Sequence, residues 1–253
     1  MTSWLEGYST SALNSVPKLS RHQSNEKVMS LVKKENNYIS ALNYGWLTRF
    51  YDPVMQWMVR EQTFKRQLIL QANIRAGQRV LDLGCGTATL TIMLKQLHPE
   101  AEVIGLDGDE KALSIAQKKI AEADLDIKFK KGMSFEMDFP DQSFDIVISS
   151  LLFHHLGSEN KLKTFREVCR ILKPAGELHI ADWGRPQNFL MRGAFLVVQL
   201  LDGFETTSDN VRGKLLQYMA RAGFMKARET SRFATLFGTI CFYRSSFSKG
   251  GEK

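Results

Sequence analysis

The residues of this chain with the clearest chemical promise are carboxylates placed beside glycines. Asp82 stands just ahead of Gly84 and Gly86 in V-L-D-L-G-C-G-T-A-T-L-T-I, Val80 to Ile92. Two glycines within three positions let the backbone bend sharply and approach a ligand with no side chain between them. A carboxylate ahead of that turn would repel a pyrophosphate, whereas it suits a ligand that carries a cationic amine or sulfonium. Asp107 stands 21 positions after Gly86 (107 − 86), the distance at which a βαβ unit places an acid to accept bonds from ribose hydroxyls. Thr89 occupies the position where a dinucleotide fingerprint wants its third glycine, which disfavours a nicotinamide cofactor.

A second group of candidates follows two apolar runs. Phe144 to Ser149 leads into Ser150, then Leu151-Leu152-Phe153-His154-His155, and Leu178 to Ala181 leads into Asp182-Trp183-Gly184. Adjacent histidines on a helix point about 100° apart and seldom serve one ion, so the pair reads as structural or orienting, or as a proton acceptor. Asp182 reads either as a local backbone cap or as a carboxylate that binds substrate at the end of a strand. Cys85, Cys169 and Cys241 match neither a disulfide framework nor a zinc spacing, so no metal site is expected and a reducing, cytoplasmic compartment is.

Hydrophobic periodicity supplies the elements that would hold these residues. Val80 to Leu83, Glu102 to Leu106, Ile127 to Lys131, Phe144 to Ser149 and Leu178 to Ala181 read as strands, and Phe144 to Ser149 has the continuous apolar centre that parallel sheets bury. Helices are expected over Val54 to Asn73, Thr87 to Gln96, Glu110 to Ala123, Lys161 to Leu172, Phe189 to Leu201 and Asp209 to Gly223. Lys173 to Glu177 is expected as a turn, Leu201 to Thr207 as a loop, and two final strands over Lys226 to Phe233 and Gly238 to Ser245.

The glycine turn resembles motif I of the class I S-adenosylmethionine-dependent methyltransferases, with Ala88 where that family often has its last glycine. G-M-S-F-E-M-D-F-P-D-Q-S-F-D, Gly132 to Asp145, is similar to that family's G-D-A-x-x-L-P-F-x-D-x-S-F-D, with Met133 where an acid usually lies beside the adenine. R-E-V-C-R-I-L-K-P-A-G-E-L, Arg166 to Leu178, resembles a further stretch of it, with Ala175 where glycine is common. Tyr51-Asp52 ahead of a helix resembles the N-terminal region of the ubiquinone/menaquinone C-methyltransferases and methyltransferase type 11 proteins, where such a segment closes over the cofactor.

The resemblance covers roughly Tyr44 to Arg244 and implies an α/β fold: a Rossmann-like, seven-stranded, mostly parallel sheet with a C-terminal antiparallel hairpin, helices on both faces and an N-terminal helical lid. It implies S-adenosyl-L-methionine as cofactor. Asp82, Gly84, Cys85, Gly86, Thr87, Asp107, Gly108, Met133, Ser134, Ser150 and Tyr51 are then the expected cofactor contacts, and His155, His154 and Asp182 the catalytic candidates. The expected organisation is a flexible arm over 1–37, a methyltransferase domain over 38–246 with its lid at 38–73 and core at 74–246, and a flexible tail over 247–253.

Composition sets the remaining bounds. At 253 residues and 43% hydrophobic content the chain supports one α/β domain with additions. Net charge is +7 and the pI about 9.3, but the cations are scattered, so nucleic acid is not an expected partner. The apolar run Phe189 to Leu201 is broken by Arg192 and Gln199 and falls short of the ~20 residues a membrane span needs. Peripheral membrane contact and oligomeric state stay open. The expected reaction is methyl transfer to a small apolar or aromatic acceptor at carbon, oxygen or nitrogen. The alternative is a binder of S-adenosylmethionine or S-adenosylhomocysteine without catalysis, suggested by Met133 and Ala88.

Overall fold

The computed structural model describes residues 60–187, 189–202, 204–235 and 238–247. The arm at 1–37, most of the lid at 38–73, including Tyr51, and nearly all of the tail lie outside these residues. Helix α1, Glu61–Ala72, buries Phe64, Leu68, Ile69 and Ala72, a spacing that puts all four on one face. It ends at Asn73 in the left-handed conformation, φ 47°.

The sheet then builds outward from its centre. Strand β1, Arg79–Leu83, pairs in parallel with β2, Glu102–Asp107, and β2 with β3, Lys128–Lys131. On its other side β1 pairs in parallel with β4, Phe144–Ser150, and β4 with β5, Leu172–Trp183. Helices α2, Thr89–Leu97, α3, Glu110–Glu122, and α4, Ser158–Ile171, carry the chain from β1 to β2, from β2 to β3 and from β4 to β5. Two further helices, α5, Phe189–Asp202, and α6, Phe204–Val211, precede α7, Leu215–Arg221. The hairpin of β6, Arg228–Ala234, and β7, Thr239–Ser246, completes the order β3-β2-β1-β4-β5-β7-β6, with β7 antiparallel to both neighbours. Sequence order reverses between β1 and β4, and open sheets of this kind bind ligands at the carboxyl edge of that reversal.

Alternation along the strands divides the buried side chains between two faces. Leu81, Leu83, Val147, Leu178 and Ile180 pack with Phe165 and Val168 of α4. Val80, Val103, Ile148, Ala181 and Phe242 pack with α1 and with Leu90 and Leu94 of α2. The expected seven-stranded sheet with its antiparallel hairpin and flanking helices is present.

Three local expectations are corrected. Lys173 to Glu177 is an interruption within β5 rather than a turn before it: Phe144 pairs with Leu172 and Ile146 with Glu177, so four residues of β5 loop out, with Ala175 at φ 65°. The single helix expected from Asp209 to Gly223 is two, α6 and α7, because Gly213 takes φ 71° and its amide turns back to the Asn210 carbonyl. Helix α6 also begins at Phe204, where a loop was expected up to Thr207.

Candidate active site

The glycine turn sits where β1 ends. Gly84 and Cys85 both donate their amides to the Leu106 carbonyl, at 2.8 and 3.0 Å, which ties the turn to the neighbouring strand. Gly84 has φ 75°, and a Cβ there would lie 2.9 Å from the Leu152 side chain, so both conformation and space demand glycine. The Gly86 amide donates to Asp107 Oδ2 at 2.8 Å, and the Asp109 amide to Asp107 Oδ1 at 2.8 Å. Burial raises the Asp107 carboxyl above its ordinary range, and these backbone donors act against that.

A cleft follows, lined by Leu83, Gly84, Leu106, Asp107, Gly108, Gly132, Met133, Ser134, Phe135 and Leu152. It brings together five expected contacts: Gly84, Asp107, Gly108, Met133 and Ser134. Met133 takes the place a side chain on Gly108 would need, since a Cβ there would meet its Sδ at 2.7 Å. The Ser134 hydroxyl lies 3.0 Å from that of Thr164, so α4 holds the far wall. Phe135 and Leu152 were not foreseen, because Leu152 enters only through the turn after β4.

The other expected contacts surround the cleft without lining it. Asp82 is 1% exposed; its Oδ2 accepts from Thr91 Oγ1 at 2.6 Å, and its Oδ1 is enclosed without a hydrogen-bond partner among the described residues. Burial pushes the Asp82 carboxyl up to about 6. Ser150 Oγ is likewise buried and unpartnered. Thr87 is occupied by Lys119, whose Nζ donates to its carbonyl and hydroxyl. Cys85 turns toward Gly105, where a Cβ would meet its Sγ at 2.9 Å, and burial raises its thiol far above the usual range. An orphaned carboxylate oxygen and an orphaned hydroxyl at one sheet edge fit a ligand that brings a cation and polar groups to it.

The histidines form a separate buried cluster. His154 Nδ1 lies 2.8 Å from Asp182 Oδ1, and the two imidazoles lie 4.0 Å apart, tilted by 41°. Asp182 is fully enclosed and also accepts from the Phe153 and Trp183 amides, each at 2.7 Å, and from Asn210 Nδ2 at 3.1 Å. Its carboxylate is thus taken up in fixing the turn and the His154 ring. His155 is held neutral: burial first, then His154 and Lys161, lower its pKa well below the ordinary value, and its Nδ1 has no partner among the described residues. Lys161 is buried with its ammonium on the Thr206 carbonyl at 2.7 Å, and burial brings its pKa down to about 8.

A family model described as "Methyltransferase domain" matches residues 80–176. The chain is 32% identical over 186 residues to the demethylmenaquinone methyltransferase of Lactobacillus johnsonii, covering 72% of this chain and 68% of that protein. It therefore belongs to the class I S-adenosylmethionine-dependent methyltransferases, and S-adenosylmethionine is its cofactor. A relative from Listeria monocytogenes with the same name is 34% identical over 65% of this chain, of whose length the chain spans 62%. Two solved structures share the fold. One is a SAM-dependent methyltransferase from Aquifex aeolicus, with TM-score 0.61 and 18% identity, covering 83% of this chain and 99% of that one. The other is phosphoethanolamine N-methyltransferase 2 of Haemonchus contortus with S-adenosylhomocysteine, with TM-score 0.65 and 16% identity, covering 83% and 61%.

Proposed function

We propose that the protein transfers the methyl group of S-adenosylmethionine to a small aromatic or apolar acceptor at carbon, oxygen or nitrogen. The observation that carries this reading is the likeness, over 72% of the chain, to a protein named demethylmenaquinone methyltransferase. The apolar helix α5 supports it, with Leu196 and Leu200 exposed.

Bound at this edge, the cofactor supplies a methyl carbon on a sulfonium, an excellent leaving group for in-line attack. What the chain adds is positioning, exclusion of water and management of a proton. Asp82 offers its unpartnered oxygen to a cationic amine, and the glycine turn of Gly84, Cys85, Gly86 and Thr87 lets the backbone come close. Asp107 keeps lone pairs beyond those used by the Gly86 and Asp109 amides, enough for ribose hydroxyls. Gly108, Met133 and Ser134 form the wall for the base, with the Met133 thioether as a polarizable surface in place of an acid. Ser150 completes the set among the described residues.

An acceptor hydroxyl must lose its proton as the new bond forms, and His154 or His155 accepts it. Asp182 acts through His154 as a positioning residue, holding the tautomer with Nδ1–H toward its carboxylate. Radiolabelled S-adenosylmethionine offered with hydroquinones, phenols and amines tests the reading. We expect transfer to a hydroquinone or phenol, tenfold or more weaker cofactor binding in Asp107→Ala, and in His154→Ala a fall in kcat with cofactor affinity kept. Transfer confined to RNA or protein overturns the acceptor class. Cofactor binding without turnover on any pool favours the second reading, a binder without catalysis, which Met133 and the left-handed Ala88, φ 65°, support.

A further inference from the structure

Beyond the end of β5, along the same sheet edge, lies a second and larger pocket of about 600 Å³. Its described lining includes Arg185, Arg192 and Arg212, with Gln199 and Ser208, and contains no carboxylate. These arginines come from three places: the segment after β5, helix α5, and the residue that follows α6. All three are exposed, and none forms an ion pair with a described residue. Like charges gathered around one open space repel each other, an arrangement that an anion relieves.

One of the three is also held in place. Arg192 Nη1 donates to Gln199 Oε1 at 2.6 Å, two helical turns along α5. Gln199 is 1% exposed and is itself anchored by its Nε2 donating to Thr207 Oγ1 at 3.1 Å. A buried amide thus orients the guanidinium of a residue that lines the pocket, and the guanidinium fork matches the oxygens of a carboxylate or phosphate. The pocket adjoins the histidine cluster through shared elements. Asn210, next to the lining residue Val211, donates to Asp182, and Arg185 lies three positions past Asp182.

We propose that this pocket binds an anionic group, a carboxylate or phosphate, carried by the methyl acceptor. The inference rests on the methyl-transfer reading and narrows it: the acceptor is an apolar or aromatic molecule with a negatively charged end. The apolar body lies toward the histidines and the charge among the three arginines.

The test uses small probes in pairs matched for shape: phenyl phosphate and benzoate against phenol and benzamide. Each is titrated by calorimetry into the full chain saturated with S-adenosylhomocysteine, in wild type, Arg192→Gln and Arg212→Gln. The expected result is at least tenfold tighter binding of an anion than of its neutral partner, a preference that added salt weakens. Either substitution should remove it while leaving the neutral probes and S-adenosylhomocysteine unaffected. Equal affinity within each pair overturns the proposal, as does an anion preference that survives both substitutions. Arginine-dependent binding of phosphatidylglycerol vesicles without binding of the small anions also overturns it, in favour of a membrane surface. Failure to bind S-adenosylhomocysteine would strike the methyl-transfer reading instead, so the two failures are distinguishable.

Discussion

Asp82 is a carboxyl group that the fold buries before any cation arrives. Its pKa rises from 3.8 to about 6 because burial disfavours the charged form. The folded chain therefore holds that proton more tightly than the unfolded chain does. The stability this gives the ligand-free protein is present below about pH 4 and is lost as pH rises through about 6. A cationic amine needs the ionised form, so cofactor affinity should fall by up to about tenfold per pH unit below 6. Calorimetry at pH 5 and pH 7 should show the decline in wild type and a flat profile in Asp82→Asn; a flat wild-type profile would remove Asp82 from the amine. Gly84→Ala should weaken S-adenosylhomocysteine binding by more than tenfold, since the new methyl would press on Leu152 from a backbone at φ 75°. The acids and glycines of this edge were legible because their meaning lies in short spacings along the chain. The bonding of Asp182 was not, because its partners Phe153, His154 and Asn210 stand 28 or 29 positions away and meet it only when β4, β5 and α6 come together.

Strands and helices were legible where periodicity was long and unbroken, as in β1, β2 and α3, and were misread where one residue changes the backbone. Gly213 falls inside the single helix expected from Asp209 to Gly223, where Leu215, Leu216 and Met219 keep helical spacing, yet it splits α6 from α7. That corner is fixed by Asp209, whose Oδ2 accepts from Ser158 Oγ at 2.5 Å and Tyr218 Oη at 2.6 Å, and whose Oδ1 pairs with Lys214 at 3.1 Å. One carboxylate thereby joins α4, α6 and α7. Although burial opposes ionisation, the hydrogen bonds from Ser158, Tyr218 and Lys214 and the charge of Lys161 lower its pKa to about 2. Its contribution to stability is present above pH ~4 and lost as pH falls toward 2. Asp209→Asn should destabilise the fold by about 1 to 3 kcal/mol in urea unfolding at pH 7, with a smaller difference from wild type at pH 3. An equal loss at both pH values would mean that shape, rather than charge, holds the corner.

At the scale of the whole molecule, the cleft proposed for the cofactor draws on the ends of β1, β2 and β3 and on the turn after β4, so a ligand there would link both halves of the parallel sheet. S-adenosylhomocysteine at about 100 times its Kd should stabilise the native state by about 2.7 kcal/mol. At roughly 2 to 4 °C per kcal/mol for a domain of this size, the melting midpoint should rise by about 5 to 11 °C. Differential scanning fluorimetry checks this, and no shift would mean that the described cleft does not take the ligand. Among the described residues no helix is long and apolar enough to cross a membrane. The seven-stranded, mostly parallel sheet with its antiparallel hairpin was legible through family resemblance, whereas the arginine pocket was not, because scattered cations along a sequence do not reveal that three of them share one opening. The placement of β7 has a consequence for biosynthesis. A ribosome delivers β6 before β7, yet in the finished sheet β7 lies between β5 and β6 and supplies the strand pairing of β6. During translation the edge of β5 therefore waits bare for its last neighbour, and nascent chains stalled before Thr239 would be the species that chaperones must shield from edge-to-edge association.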